Sequence, residues 1–380
     1  MRHIRRRTLG PLALCAALTA ASLVPLSAFA RFDDDDGFRS GMVFTSSNSV
    51  DGNELLVYAR GRHGALSLRA RFATGGLGDG AGLGSQGAVT LSGDGRHLFV
   101  VNAGSHTVST FHIGEHDLRV LSVVPSGGLH PISVTEHDGT VYVLNDAGAG
   151  NVAGFENAHG ELRPIAGSVR GLSVAGGAAP AQIGFSDDGD ALVVTEKNTN
   201  RLTSYPVLRN GTIGAPIITP SPGLTPFGFA FNRRNRLLVT EAAAGAAGAS
   251  SVSSYRFAHD AKAQPTVVSA SVADTQGSAC WVAITPDGRY AYVANTGSGS
   301  LSSYRIDALG QIELAQAVAG ATGTASAPAD TAVSPDGRHV FTRNGGAHTI
   351  ASFTIEADGR LAGAQFVDGL PAAAAGLAAN

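Results

Sequence analysis

The stretch WVAITPDGRYAYVAN, residues 281–295, decides the fold. Two β-rich runs flank the dipeptide Asp287-Gly288, and such runs around a tight Asp-Gly turn are typical of a β-hairpin, because the turn needs positive φ. The arrangement recurs along the chain, so it is an internal repeat. The other turns lie at Asp94-Gly95, Asp138-Gly139, Asp188-Gly189 and Asp336-Gly337, with Arg234-Asn235 at the equivalent place in the long gap between them.

A third predicted strand in each repeat ends in an aromatic residue, and a weaker fourth strand follows it. These aromatic residues are separated by 44, 50, 50, 49 and 49 positions. Four strands at such a period are typical of the blades of a β-propeller. The aromatic positions are Phe111, Phe155, Tyr205, Tyr255, Tyr304 and Phe353.

The two ends of the chain supply one further blade. Segments 42–45, 55–58 and 66–72 read as a second, third and fourth strand without a first, and segment 370–378 begins with Leu-Pro as other repeats begin near a proline. We therefore predict an all-β, seven-bladed β-propeller of four-stranded antiparallel blades over residues 41–380. Pairing of the N- and C-terminal segments would close the ring and remove exposed strand edges. The alternative of two β-sandwiches does not predict a regular repeat.

The first 30 residues have the layout of a secretory signal peptide. Four arginines precede an apolar run, and a small-x-small pattern ends at Ala30. We predict cleavage there, an acidic and disordered segment over residues 31–40, and an exported protein that is periplasmic or secreted and has no membrane span. A single membrane anchor is the less favoured alternative, and the sequence leaves Sec and twin-arginine export both open.

Charge and composition exclude several classes of function. The chain has 27 basic and 30 acidic residues, and loss of segment 1–30 leaves a net charge of −7, which argues against a nucleic-acid partner. Its two cysteines, Cys15 and Cys280, cannot build a zinc or iron–sulfur centre, and only Cys280 lies beyond residue 30. We expect no cofactor and no metal, and a monomer that binds a small molecule, a glycan or a peptide.

In a propeller, the starts of the first strands and the ends of the second strands meet at one face, around the central channel. We predict catalytic roles there for Glu196, Glu241 and His130, since carboxylates on neighbouring blades can tune one another's proton affinity. The alternatives are structural: glutamates paired with basic side chains, asparagines capping turns, a packed histidine and a tryptophan that fills the channel. The predicted substrate-binding residues are Gln182, Trp281, Asp330, Arg343, Lys197 and Asn295.

The segments Tyr292-Val293-Ala294-Asn295, Val100-Val101-Asn102 and Ser334 to Arg338 resemble the YVTN-type repeats of the lactonase-like propeller family. That family includes bacterial phosphogluconolactonases and the carboxymuconate-lactonising enzyme. The resemblance implies ring opening or closing of a lactone by a histidine, arginines and a glutamate on the channel face.

The match of this chain to the family's site residues is mixed. Glu196 stands at the family's strand-end glutamate, and His130-Pro131 is similar to its His-Pro start. Gln182 and Asp330 replace the expected basic residues, and Thr296 stands where an arginine often follows. The resemblance therefore implies an exported lactonase-like enzyme for a small lactone that is not polyanionic. The alternative is a non-catalytic propeller that binds a glycan, peptide or surface partner through Trp281, Phe227 and Gln182.

Overall fold

The structure is a computed structural model that describes residues 38, 41–257 and 263–380. The predicted signal peptide, 1–30, and nearly all of the acidic segment, 31–40, lie outside the described residues. In the described ranges the one helix is a 3₁₀ turn, Ala243–Gly245. No helix in that part of the chain is long and apolar enough to cross a bilayer.

The strands form seven antiparallel sheets, which confirms the predicted seven-bladed propeller. Blade 1 starts with β1 (Met42–Ser46), β2 (Glu54–Arg60) and β3 (Leu66–Ala73). Blade 2 contains β4 (Val89–Leu91), β5 (His97–Asn102), β6 (Thr107–Ile113) and β7 (Leu118–Pro125). Blade 3 contains β8 (Pro131–His137), β9 (Thr140–Asn145), β10 (Asn151–Ala158) and a split fourth strand, β11 (Glu161–Pro164) and β12 (Arg170–Gly171), both paired with β10.

The remaining blades each have four strands in sequence order. Blade 4 contains β13 (Pro180–Phe185), β14 (Ala191–Glu196), β15 (Arg201–Pro206) and β16 (Ile217–Pro220). Blade 5 contains β17 (Pro226–Phe231), β18 (Arg236–Glu241), β19 (Ser251–Phe257) and β20 (Pro265–Ala273). Blade 6 contains β21 (Ala279–Ile284), β22 (Tyr290–Asn295), β23 (Ser300–Ile306) and β24 (Ile312–Ala321), and blade 7 contains β25 (Pro328–Val333), β26 (His339–Asn344), β27 (Thr349–Ile355) and β28 (Leu361–Asp368).

The last strand, β29 (Ala375–Ala379), is the innermost strand of blade 1. It pairs antiparallel with β1 in the register Phe44↔Ala378, and the Thr45 hydroxyl donates to the Gly376 carbonyl at 2.6 Å. The predicted closure of the ring by the two terminal segments is therefore confirmed. Closure leaves no inner strand edge for another chain to pair with.

The core lies between the blades, where the apolar residues of second and third strands interdigitate. The six repeated aromatic side chains are all buried, and Tyr205, Tyr255 and Tyr304 are fully so. The Tyr205 hydroxyl reaches the Gly171 carbonyl at 2.7 Å, so its polar end is satisfied inside the protein. Burying such a ring contributes about 1.5–3 kcal/mol, so the repeated aromatic residue is a packing element of the blade.

Residues 83–88, which we call the plug, lie between the innermost strands of several blades. This segment leaves blade 1 and enters the channel before β4 begins. The Gln86 N–H donates to the Ala181 carbonyl in blade 4 at 3.0 Å, and the Ser85 hydroxyl donates to the Ile132 carbonyl in blade 3 at 2.7 Å. The Gln86 amide also donates to the Val282 carbonyl in blade 6, at 3.0 Å. The plug thus bridges blades on different sides of the ring.

One glycine makes room for the plug. A Cβ at Gly228 would lie 2.3 Å from the Gln86 side-chain oxygen and 2.6 Å from the Cys280 carbonyl. Contacts that short do not occur, so a side chain at position 228 would displace both the Gln86 side chain of the plug and the backbone of blade 6 at Cys280.

Candidate functional site

The upper face, where first strands start and second strands end, has a repeated backbone geometry. The residue before the first strand is left-handed in five blades, with φ between 48° and 59°. Its carbonyl accepts the N–H of the residue that follows the second strand, as between Lys197 and Ala179 at 3.1 Å. The strand ends therefore reach the upper face as predicted. The other pairs are Asp146 with His130, Ala242 with Thr225, Thr296 with Ser278 and Gly345 with Ala327.

The side chains of the strand-end residues nevertheless turn into the blades. Glu196 is fully buried, and its carboxylate accepts four hydrogen bonds. The donors are the Ser173 N–H at 2.9 Å, the Ser173 hydroxyl, the Thr199 hydroxyl at 2.8 Å and the Thr203 hydroxyl at 2.6 Å. Glu196 therefore fastens the incoming loop of blade 4 to β15 and has no oxygen free for a ligand.

Glu241 does the same in blade 5. It is fully buried and accepts five hydrogen bonds. Four of the donors are serine hydroxyls, and the fifth is the Gly223 N–H at 2.9 Å. The donating serines are Ser221, Ser251, Ser253 and Ser271.

Asn295, at the end of the second strand of blade 6, makes similar hydrogen bonds with its side-chain amide. It is fully buried, and it donates to the Ser302 hydroxyl at 2.7 Å and to the Ser300 hydroxyl at 3.3 Å, both on β23. Asn102 makes the equivalent pair of bonds to Thr107 and Ser109 in blade 2. The polar residues at the strand ends thus have a structural role. Asn295 shares it, since its amide donates to hydroxyl groups of its own blade.

Asp146 and Lys197, which stand one position after the ends of β9 and β14, lie at the upper opening beside residues at the starts of first strands. We call the surface formed by His130, Asp146, Lys197, Phe227 and Trp281 the mouth. The Lys197 ammonium lies 4.7 Å from the centre of the Phe227 ring and donates to the Gly84 carbonyl of the plug at 2.8 Å. Burial lowers the pKa of Lys197, although the Asp146 carboxylate opposes that shift.

The floor of the mouth is aromatic. The Phe227 and Trp281 ring centres are 5.0 Å apart, and each side chain is less than a tenth exposed. The Trp281 indole N–H donates to the Ser85 carbonyl of the plug at 2.9 Å. Trp281 therefore holds the plug while it fills the channel. The thiol of neighbouring Cys280 is also buried, and burial raises its pKa to about 11.

His130 lies between two carboxylates. Its Nδ1 is 2.6 Å from Asp146 and its Nε2 is 2.9 Å from Asp79, a residue of the loop that leads to the plug. The bond to Asp146, reinforced by Asp79, raises the pKa of His130 to about 9. The imidazole is therefore a cation at neutral pH, hydrogen-bonded through both ring nitrogens. It links blade 3 to that loop.

Two predicted binding residues form a buried ion pair in blade 7. The Arg343 guanidinium lies 3.3 Å from the Asp330 carboxylate, which also accepts the Gly376 N–H at 3.1 Å. Burial raises the pKa of Asp330 despite its arginine partner, and its other oxygen has no hydrogen-bond partner. The pair joins blade 7 to the closing strand β29.

Gln182 is bonded to the neighbouring blade. Its amide donates to the Phe229 carbonyl at 2.9 Å and accepts the Phe229 N–H at 2.6 Å. It also lines a cavity of about 320 Å³ in the lower half of the channel, together with Glu136, His137 and Phe231. That cavity opens beside the rim that carries the Asp-Gly turns, below the plug.

The structure thus brings His130, Lys197 and Trp281 to one surface, and it places Glu196, Glu241 and Asn295 inside the blades. Asp79 and Asp146 were missed by the sequence analysis. Asp146 directly follows the strand-end Asn145, so reading one residue further would have found it. Asp79 lies in a glycine-rich loop without a strand pattern, and no sequence signal marks it. Within the described residues no group of three or more His, Cys, Asp or Glu side chains is arranged to hold a metal ion.

Comparison with known proteins supports the same fold. Residues 243–369 match the family described as "Lactonase, 7-bladed beta-propeller". No curated protein matches the chain.

Several solved structures share the fold over most of their length. The periplasmic gluconolactonase PpgL of Pseudomonas aeruginosa is 19% identical, with a TM-score of 0.67 over 88% of this chain and 98% of that one. A putative 6-phosphogluconolactonase of Bacteroides uniformis is 17% identical, with a TM-score of 0.65 over 88% and 100%. A Lactobacillus plantarum protein is 16% identical, with a TM-score of 0.69 over 88% and 98%.

At these identities the likeness concerns the fold. Together with the seven closed blades, it confirms the predicted resemblance of this chain to the lactonase-like seven-bladed propellers, in fold over the described chain and in sequence over residues 243–369.

Proposed function

We propose that this chain is an exported propeller that binds a small lactone, or the hydroxy acid formed when the lactone opens, at the mouth. The Lys197 ammonium carries the proposal. Among the described residues it makes one hydrogen bond, which it donates to the Gly84 carbonyl at an exposed position. The remaining N–H groups can donate to a ligand carbonyl or carboxylate.

The mouth is suited to a ligand of low charge. Lys197 brings one cation, whereas Asp146 and Asp79 surround the His130 cation with two carboxylates. The Arg343 guanidinium is buried against Asp330, where it does not offer a bidentate anchor for a phosphate. A lactone or a monocarboxylate matches this balance better than a phosphorylated sugar.

We propose binding without rapid hydrolysis. General-base catalysis needs a group that can take a proton from water near the ligand. Glu196 and Glu241 already accept four and five hydrogen bonds inside their blades. His130 is a cation at neutral pH with both ring nitrogens bonded. The predicted acid–base groups therefore serve the scaffold.

Binding is tested by calorimetry of the purified protein with a panel of small lactones and their hydroxy acids. Replacing Lys197 by Met keeps the apolar stem and should weaken binding at least about tenfold, since a hydrogen bond to a charged group contributes about 1.5–3 kcal/mol. Arg209→Met is the matched control, because it removes one exposed cation from the lower side of the same blade. Equal affinity in all three proteins, or no binding of the panel, would refute the proposal.

Hydrolysis is measured on the same panel by proton release. We expect no turnover above the uncatalysed rate. Turnover that disappears in Glu196→Gln, with the variant still folded, would show that the glutamate is catalytic and would overturn the non-catalytic assignment.

Export rests on the first 30 residues and has its own test. Expression of the full chain in a Gram-negative host should yield a periplasmic or secreted protein whose N-terminus is Arg31. A cytoplasmic product that retains Met1 would contradict it.

A further inference from the structure

A residue just after the fourth strand of a blade faces the end of the second strand in the next blade. At three of these boundaries it has a hydroxyl group that donates across the boundary, as Thr74 donates to the Asn102 amide oxygen at 2.7 Å. Such a buried hydrogen bond ties one blade to the next. The other two donors are Ser173, to Glu196, and Ser221, to Glu241.

Between blades 5 and 6 a carboxyl group takes the place of this hydroxyl group. Asp274 directly follows β20, and its N–H donates to the Ser250 carbonyl at 3.1 Å. The Thr74 N–H makes the same bond in blade 1, to Asn53 at 2.9 Å. The two residues therefore stand at equivalent positions, so Asp274 faces the strand-end residue of blade 6, Asn295.

Both side chains are fully buried, and each has an acceptor without a donor. Asp274 Oδ1 accepts the Gln276 N–H at 2.8 Å, whereas Oδ2 has no hydrogen-bond partner among the described residues. The Asn295 amide donates to the Ser302 hydroxyl at 2.7 Å, and its Oδ1 has no partner in the same part of the chain. Two unpaired acceptors that face each other destabilise a fold unless a hydrogen lies between them.

This opposition is confined to one boundary. Asn145 and Asn344 also have an unpaired Oδ1, but the residues that face them are Ser126 and Thr322. A hydroxyl group can rotate to donate, whereas an ionised carboxylate has no hydrogen to donate. Among the described boundaries, only that between blades 5 and 6 sets two unpaired acceptors against each other.

No positive charge compensates the Asp274 carboxyl group. Among the described residues it has no ion pair, and the ionisable groups that face it are acidic: Tyr304 on β23 and, beyond it, Glu241 on β18. Burial raises the pKa of Tyr304, and Asp274 and Glu241 raise it further. Burial also raises the pKa of Asp274, against hydrogen bonds such as that from the Gln276 N–H. A buried carboxyl group without a counter-ion favours its neutral form.

We propose that Asp274 keeps its proton in the folded protein at neutral pH and donates its carboxyl O–H to Asn295 Oδ1, as a pH-sensitive bond between blades 5 and 6. The proton supplies the donor that a hydroxyl group supplies at other boundaries. A hard cation would need about six oxygen ligands, and the two unpaired oxygens are too few. The same two blades carry Phe227 and Trp281, so the bond fastens the pair of blades that forms the floor of the mouth.

The pH dependence of stability counts this proton. Urea unfolding is measured from pH 5 to pH 7 for the wild type and for Asp274→Asn, whose amide can donate to Asn295 without titrating. In the unfolded chain Asp274 ionises with a pKa of about 3.9, so its stabilising contribution is fully present below that pH and is lost as the pH rises. A proton held only in the fold makes the folding constant of the wild type fall about tenfold per pH unit relative to the variant.

Asp307→Asn is the matched control. Asp307 is exposed at a turn of blade 6, where its carboxylate accepts the N–H groups of Leu309 and Gln311, both at 2.8 Å. The ratio of its folding constant to that of the wild type should stay constant over this pH range. A constant ratio for Asp274→Asn as well would mean that the carboxylate is ionised in the fold, held by water or a cation, and would overturn the proposal.

Asp274→Ser is a second, independent variant. Serine stands at the equivalent position after the fourth strand of blade 4, as Ser221, and restores a hydroxyl donor. Its folding constant should show the same change with pH relative to the wild type. The infrared difference spectrum of the two folded proteins at pH 7 should contain the C=O stretch of an un-ionised carboxylic acid from the wild type. Absence of that band would contradict the proposal, even if Asp274→Asn did not fold.

Discussion

Blades 4 and 5 are alike at the last residue of the second strand and differ at the residue that follows it. Each ends its second strand with a buried glutamate, Glu196 or Glu241, held by hydroxyl groups of its own blade. The next residue is Lys197 in blade 4 and Ala242 in blade 5. The first position is occupied by the scaffold in both blades, and the second is where a blade can present chemistry to the mouth. Two adjacent residues thus have separate tasks.

The largest expected effect is on stability, at the glutamates. Glu196→Ala removes an acceptor from four donors, and Glu241→Ala removes one from five. Leaving several buried donors unpaired should lower the free energy of unfolding by about 3 kcal/mol or more in each variant. Urea denaturation of purified variants measures this. If only one of the two variants lost stability, the glutamates of blades 4 and 5 would not have the same structural role.

A smaller effect is expected from His130 at alkaline pH. Its pKa rises from about 6.5 in the unfolded chain to about 9 in the fold, so its contribution is fully present below pH 6.5 and is lost as the pH rises through 9. After allowance for solvent screening, we expect this contribution to the free energy of unfolding to be about 2 kcal/mol.

Unfolding free energies at pH 6 and pH 10 measure that loss. His130→Asn is the control, because asparagine tolerates the left-handed backbone at φ 58° and does not titrate. The pH-dependent loss should be smaller in the variant by that amount. The same slope in both proteins would show that the Asp79–His130–Asp146 contact does not stabilise the fold.

Replacing Gln86 of the plug by alanine should lower the free energy of unfolding by about 1–2 kcal/mol. Gln86→Ala leaves the N–H and carbonyl of Val282 unpaired and loosens the segment that Trp281 holds. Trp281 is the only tryptophan, so its emission should shift to the red as water enters.

Gln182→Ala is the matched control for the plug. It removes an equivalent pair of bonds, to Phe229, but leaves the plug intact. We expect a similar loss of stability and unchanged emission. A red shift in both variants would show that the emission reports general loosening of the ring.

The smallest effect on stability is expected at Lys197. Lys197→Met removes one exposed hydrogen bond and a contact with Phe227 and should cost less than about 1 kcal/mol. A loss as large as that of Glu196→Ala would mean that position 197 also belongs to the scaffold.

The sequence was enough to predict the blades, their number and the closing strand, because a hairpin turn and a buried aromatic residue recur in six units and the two terminal segments supply the strands of the seventh. It placed Glu196 and Lys197 in the right blade. It did not reveal which of the two side chains faces the mouth, because successive side chains of a strand point to opposite sides and a step of one residue exchanges them.

The remaining contacts depend on the path of irregular backbone. The plug and Asp79 lie in a loop whose glycines allow many conformations, so no periodic pattern indicates where it runs. Its course is set by bonds to distant blades, such as that from Gln86 to Val282 across the ring.

Because the plug is hydrogen-bonded to blades 3, 4 and 6, it acts as an internal crosslink of the ring. Blades 4 and 6 are not neighbours, yet the single residue Gln86 joins them directly, in addition to the path through blade 5. A change in one of these blades can therefore be felt in the other without rearrangement of the blade between them.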